Sequence, residues 1–284
     1  MSQIDFDQFL KELSAVSEEQ FIDPRELEWP AEVDPDAWYF TPELISLYGS
    51  DVWDTLDECQ RKRLSLYEAV NFFSLNIHGE KYLISEISRR LYGGGDSELS
   101  RYLLHFVDEE ARHMMYFSGF CRRYAQKTYP DRTMHSEDNG DDELDMFLLF
   151  ARINVFEEIV DFYNRTMAKD ERLAPVAREI NRIHHVEELR HLNFGRNFLK
   201  HCLDHHVDDW NETRRRESRA HLSSYLDLVW KQYYSPDVYE DAGIEDAFDV
   251  WRAAADAAGA VQHRKDVNKR RLSYLRKLEL LEAS

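Results

Sequence analysis

The sequence predicts an all-α protein whose core is a four-helix bundle, with additional N- and C-terminal helices, and three observations carry that expectation. Gly and Pro number only ten and seven in 284 residues, and they cluster so that residues 50–78, 96–118, 141–174 and 196–235 contain neither. Stretches free of both breakers favour helix. Apolar residues within them recur at three and four rather than two, as in Phe73, Ile77, Ile84, Ile87 and Leu91, or Leu99, Leu103, Phe106 and Phe117, the period of a helix face. Finally, two separate segments place a Glu three residues before a His, and another Glu stands about thirty residues upstream of each pair, as four helices feeding one centre require.

In chain order, a short helix is expected near 4–15, helices at about 51–91, 97–127, 141–169, 175–203 and 208–233, and a C-terminal pair after about residue 243. The breaks fall at FIDPRELEWPAEVDPD, Gly93-Gly94-Gly95, TYPDRTMHSEDNGDD, Pro175 and YYSPDVYEDAG, where Pro, Gly and short polar side chains supply turn conformations. None is long enough to be an interdomain linker. One domain over residues 1–284 is therefore expected, its core bundle at about 51–203 flanked by helices at 4–15 and 208–281.

A content of 43% apolar residues can fill a large core. Thirty-six Lys and Arg against 55 Asp and Glu give a formal charge of -19, which repels nucleic acid and anionic membranes, so neither is expected as a partner. The opening MSQIDFDQFLKELSAV lacks the basic and apolar regions of a secretory signal, and no run approaches the roughly 18 apolar residues of a membrane span. A cytoplasmic chain is expected. Cys59, Cys121 and Cys202 are dispersed and odd in number, which supports neither a disulfide framework nor a CxxC metal site.

The chemistry lies in FVDEEARH, ending at His113, and HHVEELRH, ending at His191. Helical spacing puts Glu110 with His113, and Glu188 with His191, about one turn apart on a common face, within reach of one metal ion. A single ExxH arises often by chance on a solvated face. Here each copy sits in an apolar stripe, and charged groups on a buried face need partners. Glu80 shares its stripe with Phe73, Ile77, Ile84 and Ile87. Glu157 shares one with Phe150, Ile153, Val160 and Asn164, while Glu158, the alternative, lies with Ala151, Asn154 and Asp161. His184, four before Glu188, falls on the second motif's face where the first half has Phe106, and could add a seventh ligand to the metal beside the second ExxH.

The set Glu80, Glu110-x-x-His113, Glu157 and His184-x-x-x-Glu188-x-x-His191, together with RIHHVEELRH and SPDVYEDAG, resembles the p-aminobenzoate N-oxygenase (AurF-type) diiron oxygenases over about Pro42 to residue 260. That resemblance implies a ferritin-like, non-haem diiron monooxygenase that uses O2 and external reducing equivalents to oxidise an amine nitrogen. Glu80, Glu110, His113, Glu157, His184, Glu188 and His191 would be the ligands of its two iron ions. It also implies a small amine or related organic substrate and an electron-transfer partner, and leaves room for a homodimer. A ferritin-like protein that oxidises and moves iron without an organic substrate is the alternative. A radical-generating subunit would need a redox tyrosine, for which Tyr116 is the candidate, and a plain helical interaction module would hold no metal. Glu109, Glu187 and His185 lie on other faces and read as second-shell or surface groups, with Glu109 or Asp108 able to orient a ligand. His201 and His205 read as surface residues, and Arg214, Arg215 and Arg216 as a short basic run of the kind that is mostly a solvated face, able also to attract an acidic partner or an anionic substrate.

Overall fold

The computed structural model describes residues 2–92, 97–132, 141–205 and 210–282. Gly93-Gly94-Gly95, most of the polar stretch after Pro130, and the expected helix start at 208 lie outside them. The described residues are predominantly helical, with one isolated bridge between Trp38 and Leu173.

Helix α1 (Gln3–Glu19) begins at a capping box in which Ser2 accepts from the Asp5 amide and Asp5 answers to the Ser2 amide. The expected helix over 51–91 is two. Leu56 is extended, and Asp57 caps a new start through a second box with Gln60, so α2 (Asp51–Thr55) and α3 (Glu58–Arg90) are distinct. The bundle continues with α4 (Glu98–Tyr124), α5 (Asp142–Met167) and α6 (Pro175–His205). Then come α7 (Glu212–Gln232), α8 (Pro236–Ala242), α9 (Ala247–Ala254), α10 (Ala258–Arg271) and α11 (Ser273–Lys277). Among the described residues three helices follow residue 243 where a pair was expected, because Asp256 and Ala257 leave the helical run and a last turn restarts after Leu272.

Contacts fix the packing. Val70 meets Cys121, Phe73 meets Phe117 and Glu80 meets His113, so α3 and α4 run antiparallel. Phe150 on Phe198 and Asn164 on His184 make α5 and α6 antiparallel in turn. Phe106 on Phe194 and Phe117 on His184 join the two pairs. One glycine permits the closeness of α5 and α6: a Cβ on Gly195 would stand 2.2 Å from the Asn154 amide nitrogen, which is committed to the Phe150 carbonyl at 2.8 Å. Gly195→Ala should therefore lower stability by about 1–3 kcal/mol in urea titrations; an unchanged midpoint would show that Asn154 moves freely.

Outside the bundle, α1 closes over α4 and α6. His201, expected at the surface, is buried there: its ring stacks on Phe6 at 4.2 Å and Nε2 lies 3.1 Å from Gln3 Oε1. The sequence pattern around 201–205 does not reveal a helix 190 residues away that covers it. At the opposite flank, burial pushes the Glu68 carboxyl from 4.5 to about 7, against the hydrogen bonds it accepts from Ser46. The folded chain thus holds this proton more tightly than the unfolded chain. The contribution is full below about pH 4.5 and is lost as pH rises through 7, amounting to about 3 kcal/mol in all. Glu68→Gln should remove about 2 kcal/mol of the stability lost between about pH 5 and 8; identical pH profiles for both chains would refute this.

Candidate metal centre

Helices α3, α4, α5 and α6 each bring at least one carboxylate to a single buried cluster. Glu80, Glu110, His113, Glu157, His184, Glu188 and His191 are all 3% exposed or less. Three triads have ligand atoms within 4.8 Å of one another: Glu80–His113–His184, Glu110–His113–Glu188 and Glu157–His184–Glu188. They share His113, His184 and Glu188, which makes the site continuous. His191 joins through Nδ1, 3.0 Å from Glu110 and 3.3 Å from Glu188. His184 reaches both halves, with Nε2 3.0 Å from Glu188 and 3.4 Å from Glu80.

Glu157 and Glu158 are both buried, yet only Glu157 takes part. Glu158 faces away and pairs with Arg196 of α6 and Arg271 of α10. Its stripe is as covered as that of Glu157 because α10 lies over α5, a contact that spans more than a hundred residues.

Around the cluster stands a second arrangement that the sequence shows in part. His113 donates from Nε2 to Glu187 at 3.0 Å, and His191 from Nε2 to Glu109 at 2.7 Å. Each carboxylate belongs to the other helix's motif. Arg112 grips Glu187 at 2.7 Å and Arg190 grips Glu109 at 2.8 Å, so these outer carboxylates are balanced in charge. Since a carboxylate only accepts, Nε2 carries the proton in both rings, and Nδ1 is left facing the cluster. Glu109 and Glu187 are buried orienting groups rather than surface ones; Asp108 is exposed and accepts from Arg112. The repeated signal was Glu-Glu-x-Arg-His, at 109–113 and 187–191, of which the second Glu and the His attract notice first. His185 pairs with Asp161 at 2.5 Å, away from the cluster.

The inner carboxylates have no such balance. Both oxygens of Glu80, and one each of Glu110, Glu157 and Glu188, lack a hydrogen-bond partner among the described residues, as does Nε2 of His184. A buried acceptor left so costs about 1–3 kcal/mol. Burial pushes Glu80 up to about 8, and burial with repulsion from Glu188 holds Glu157 well above the ordinary carboxyl range. Glu188 goes the other way: burial opposes its charge, but His191 and His184 outweigh it. Burial likewise disfavours charged His113 and His191, yet Glu110 beside the first and Glu188 beside the second raise both. Protons thus stand in for missing positive charge. Two divalent cations would match four carboxylates, displace those protons and satisfy the orphaned oxygens, so the donor set fits a carboxylate-rich pair of hard or borderline metal ions.

Glu109 tests the outer arrangement. Burial alone would raise its carboxyl, but His191 and Arg190 hold it at about 2. Glu109→Gln keeps an acceptor for His191 while removing the charge, and should weaken metal affinity by about 10–100-fold in a chelator competition. Equal affinity would reduce Glu109 to packing.

A cavity of about 760 Å³ lies beneath α1 between Leu99, Met146, Phe198 and His201. No cluster residue lines it. Phe198, Phe194 and Phe106 stand ring to ring between it and His191, on which Phe106 stacks at 3.8 Å. Tyr116 is buried with its ring 5.7 Å from His113 and its hydroxyl without a hydrogen-bond partner among the described residues.

An antiparallel bundle with carboxylates from all four helices and two ExxH pairs defines a ferritin-like helical fold with a candidate dimetal centre. Residues 4–279 match the p-aminobenzoate N-oxygenase AurF family, and the chain belongs to that family. Comparison with curated proteins gives no significant match. No helix among the described residues is long and apolar enough to cross a membrane.

Proposed function

We propose that this chain is an O2-dependent diiron monooxygenase that oxidises the nitrogen of a small amine, with an arylamine as the favoured substrate class. The observation that carries the reading is the set of orphaned inner carboxylate oxygens inside a charge-balanced outer ring, in a chain of the N-oxygenase family. Glu80, Glu110, His113, Glu157, His184, Glu188 and His191 would hold the two irons, which supply the redox capacity for O2 activation when bound. Glu110 is within reach of two of the histidines and Glu188 of all three, so these two carboxylates would be the ones most shared between the irons.

The chain's own residues then do three things. Glu109 and Glu187 fix the imidazole tautomers and aim Nδ1 inward. Arg112 and Arg190 keep those outer carboxylates ionised, so that they accept from the imidazoles rather than compete for their protons. Phe106, Phe117 and Phe73 pack around the cluster, and exclude water from a centre that would otherwise consume reductant without product. Inserting one oxygen atom into an amine while the other leaves as water consumes two electrons and two protons, so an external reductant belongs to the reaction.

The test is metal analysis of protein from iron-supplemented culture, followed by O2 uptake with a panel of arylamines. About two irons per chain, by the site's donor count, and amine-dependent uptake with N-oxygenated product support the proposal. Iron-dependent uptake that ignores amines supports iron handling instead, and a chain that binds no metal overturns both.

A further inference from the structure

The reductant must reach a centre enclosed on all sides by the bundle, and one flank differs from the rest of the molecule. The chain carries a charge of -19, yet residues 258–277 hold seven Lys and Arg against a single Asp. Lys265, Lys269, Arg270 and Lys277 are exposed and form no ion pair among the described residues. The Arg214–Arg216 run is different: Arg214 pairs with Asp141 at 3.3 Å and Arg215 with Glu279 at 2.8 Å, so most of its charge is spent within the fold.

Directly behind the basic face lies a continuous set of rings. His263, half-buried on α10, has its ring 6.1 Å from Trp230, and its Nε2 is 3.2 Å from the Tyr163 hydroxyl. Trp230 lies 5.4 Å from Tyr233, and Tyr163 lies 4.8 Å from Tyr233. Trp230 is also tied to α10 through Asn268 at 2.9 Å. The Tyr233 hydroxyl is buried without a hydrogen-bond partner among the described residues. Tyr163 lies on α5, the helix that also carries Glu157, so the rings lead from α10 to the helix that brings this carboxylate to the cluster.

We propose that the exposed face of α10 and α11 docks a small acidic protein that carries one electron at a time, and that His263, Trp230, Tyr163 and Tyr233 form the route inward toward Glu157. This rests on the proposed diiron function, which requires two electrons per turnover. Each encounter would take one electron from the carrier and pass it to the metal pair that the cluster would hold, so that two encounters would supply the two electrons of a turnover, with no bond made or broken. Charge complementarity selects the partner: a basic face on an acidic protein steers an acidic carrier to one place and repels it elsewhere. Close ring packing matters because electron tunnelling falls steeply across gaps between atoms.

The test uses a reduced acidic [2Fe–2S] ferredoxin as the carrier. Binding to the metal-free chain is measured at low and physiological ionic strength, for wild type and for K265E/K269E/R270E. The triple variant should bind about tenfold more weakly and lose most of the salt dependence; unchanged binding overturns the docking face. With iron-loaded protein, stopped-flow reduction at saturating ferredoxin should slow severalfold in Trp230→Leu, while reduction by a small chemical mediator keeps its rate. An unchanged ferredoxin rate overturns the route. If Trp230→Leu fails to fold, Trp230→Phe, which keeps a smaller ring, is read the same way with a smaller slowing. A chain that takes up no iron counts against the proposed function alone, because docking to the metal-free chain is still measured. A chain that oxidises arylamines with a chemical reductant yet does not bind the ferredoxin overturns this inference alone.

Discussion

Glu188→Ala is expected to leave a helical protein that holds fewer than two irons and retains no measurable amine oxidation. Glu188 is the most connected group of the cluster: its Oε1 lies 3.3 Å from His113, 3.0 Å from His184 and 3.3 Å from His191. Truncation removes the carboxylate common to two of the three triads and leaves two cations facing one negative charge fewer, in a setting where uncompensated charge is strongly disfavoured. A loss of about a hundredfold or more in iron affinity follows, given that losing a group that only hydrogen-bonds a ligand costs about 10–100-fold. The fold should survive. The helices keep their apolar packing, and the imidazoles, held charged partly by Glu188, can release their protons. Iron content by plasma emission and far-ultraviolet circular dichroism separate the two effects. Full iron occupancy with full turnover in Glu188→Ala would remove the cluster from the chemistry.

The four-helix core was legible because its signals are local. Breaker-free stretches and a period of three to four place α4 to α6, and the C-terminal end of α3, to within a few residues, and the buried stripes of Phe73, Glu80 and Ile87, or Leu103, Glu110 and Phe117, are the stripes the pattern marks. Less legible was anything decided by a distant partner. Leu56 and Asp57 end one helix and begin another through backbone geometry that apolar spacing does not encode. Glu157 and Glu158 cannot be told apart on α5 alone, because the helix is buried on nearly every side and what separates them is Arg271, more than a hundred residues on. For Glu109 and Glu187 the sequence leaves open whether they orient the ligands or lie at the surface, for a related reason. Helical periodicity puts them off the motif face, as they are, but that off-face direction points across to the neighbouring helix rather than to solvent. The twice-repeated Arg of the motifs carries that information, since a buried Arg beside a Glu and a His implies that all three are enclosed together.

Against this near two-fold design His184 is the exception, and its replacement is expected to be the sharpest probe of it. Phe106 occupies the equivalent place on α4 and does a different job, stacking at 3.8 Å on His191. His184 instead stands edge-on to His113 at 4.6 Å and to Phe117 at 4.9 Å, with Nδ1 2.5 Å from the Asn164 side-chain amide. Turned over, that amide would present its oxygen, now without a hydrogen-bond partner among the described residues, to Nδ1–H and leave the Nε2 lone pair for a metal. His184→Phe preserves an apolar ring of similar size against the same neighbours, so packing should change little. It strands Asn164, at about 1–3 kcal/mol, a cost that His184→Phe/Asn164→Leu should largely recover. Iron should still bind through the six remaining ligands. Two irons that a third histidine would make inequivalent should become more alike in the Mössbauer spectrum, and amine oxidation should fall by about tenfold or more, at least what loss of a group that merely orients a ligand costs. Restoring stability with the double variant without restoring turnover would assign the loss to the missing nitrogen donor. An unaltered spectrum and unaltered turnover in the single variant would make His184 a packed histidine, and the centre a six-ligand one.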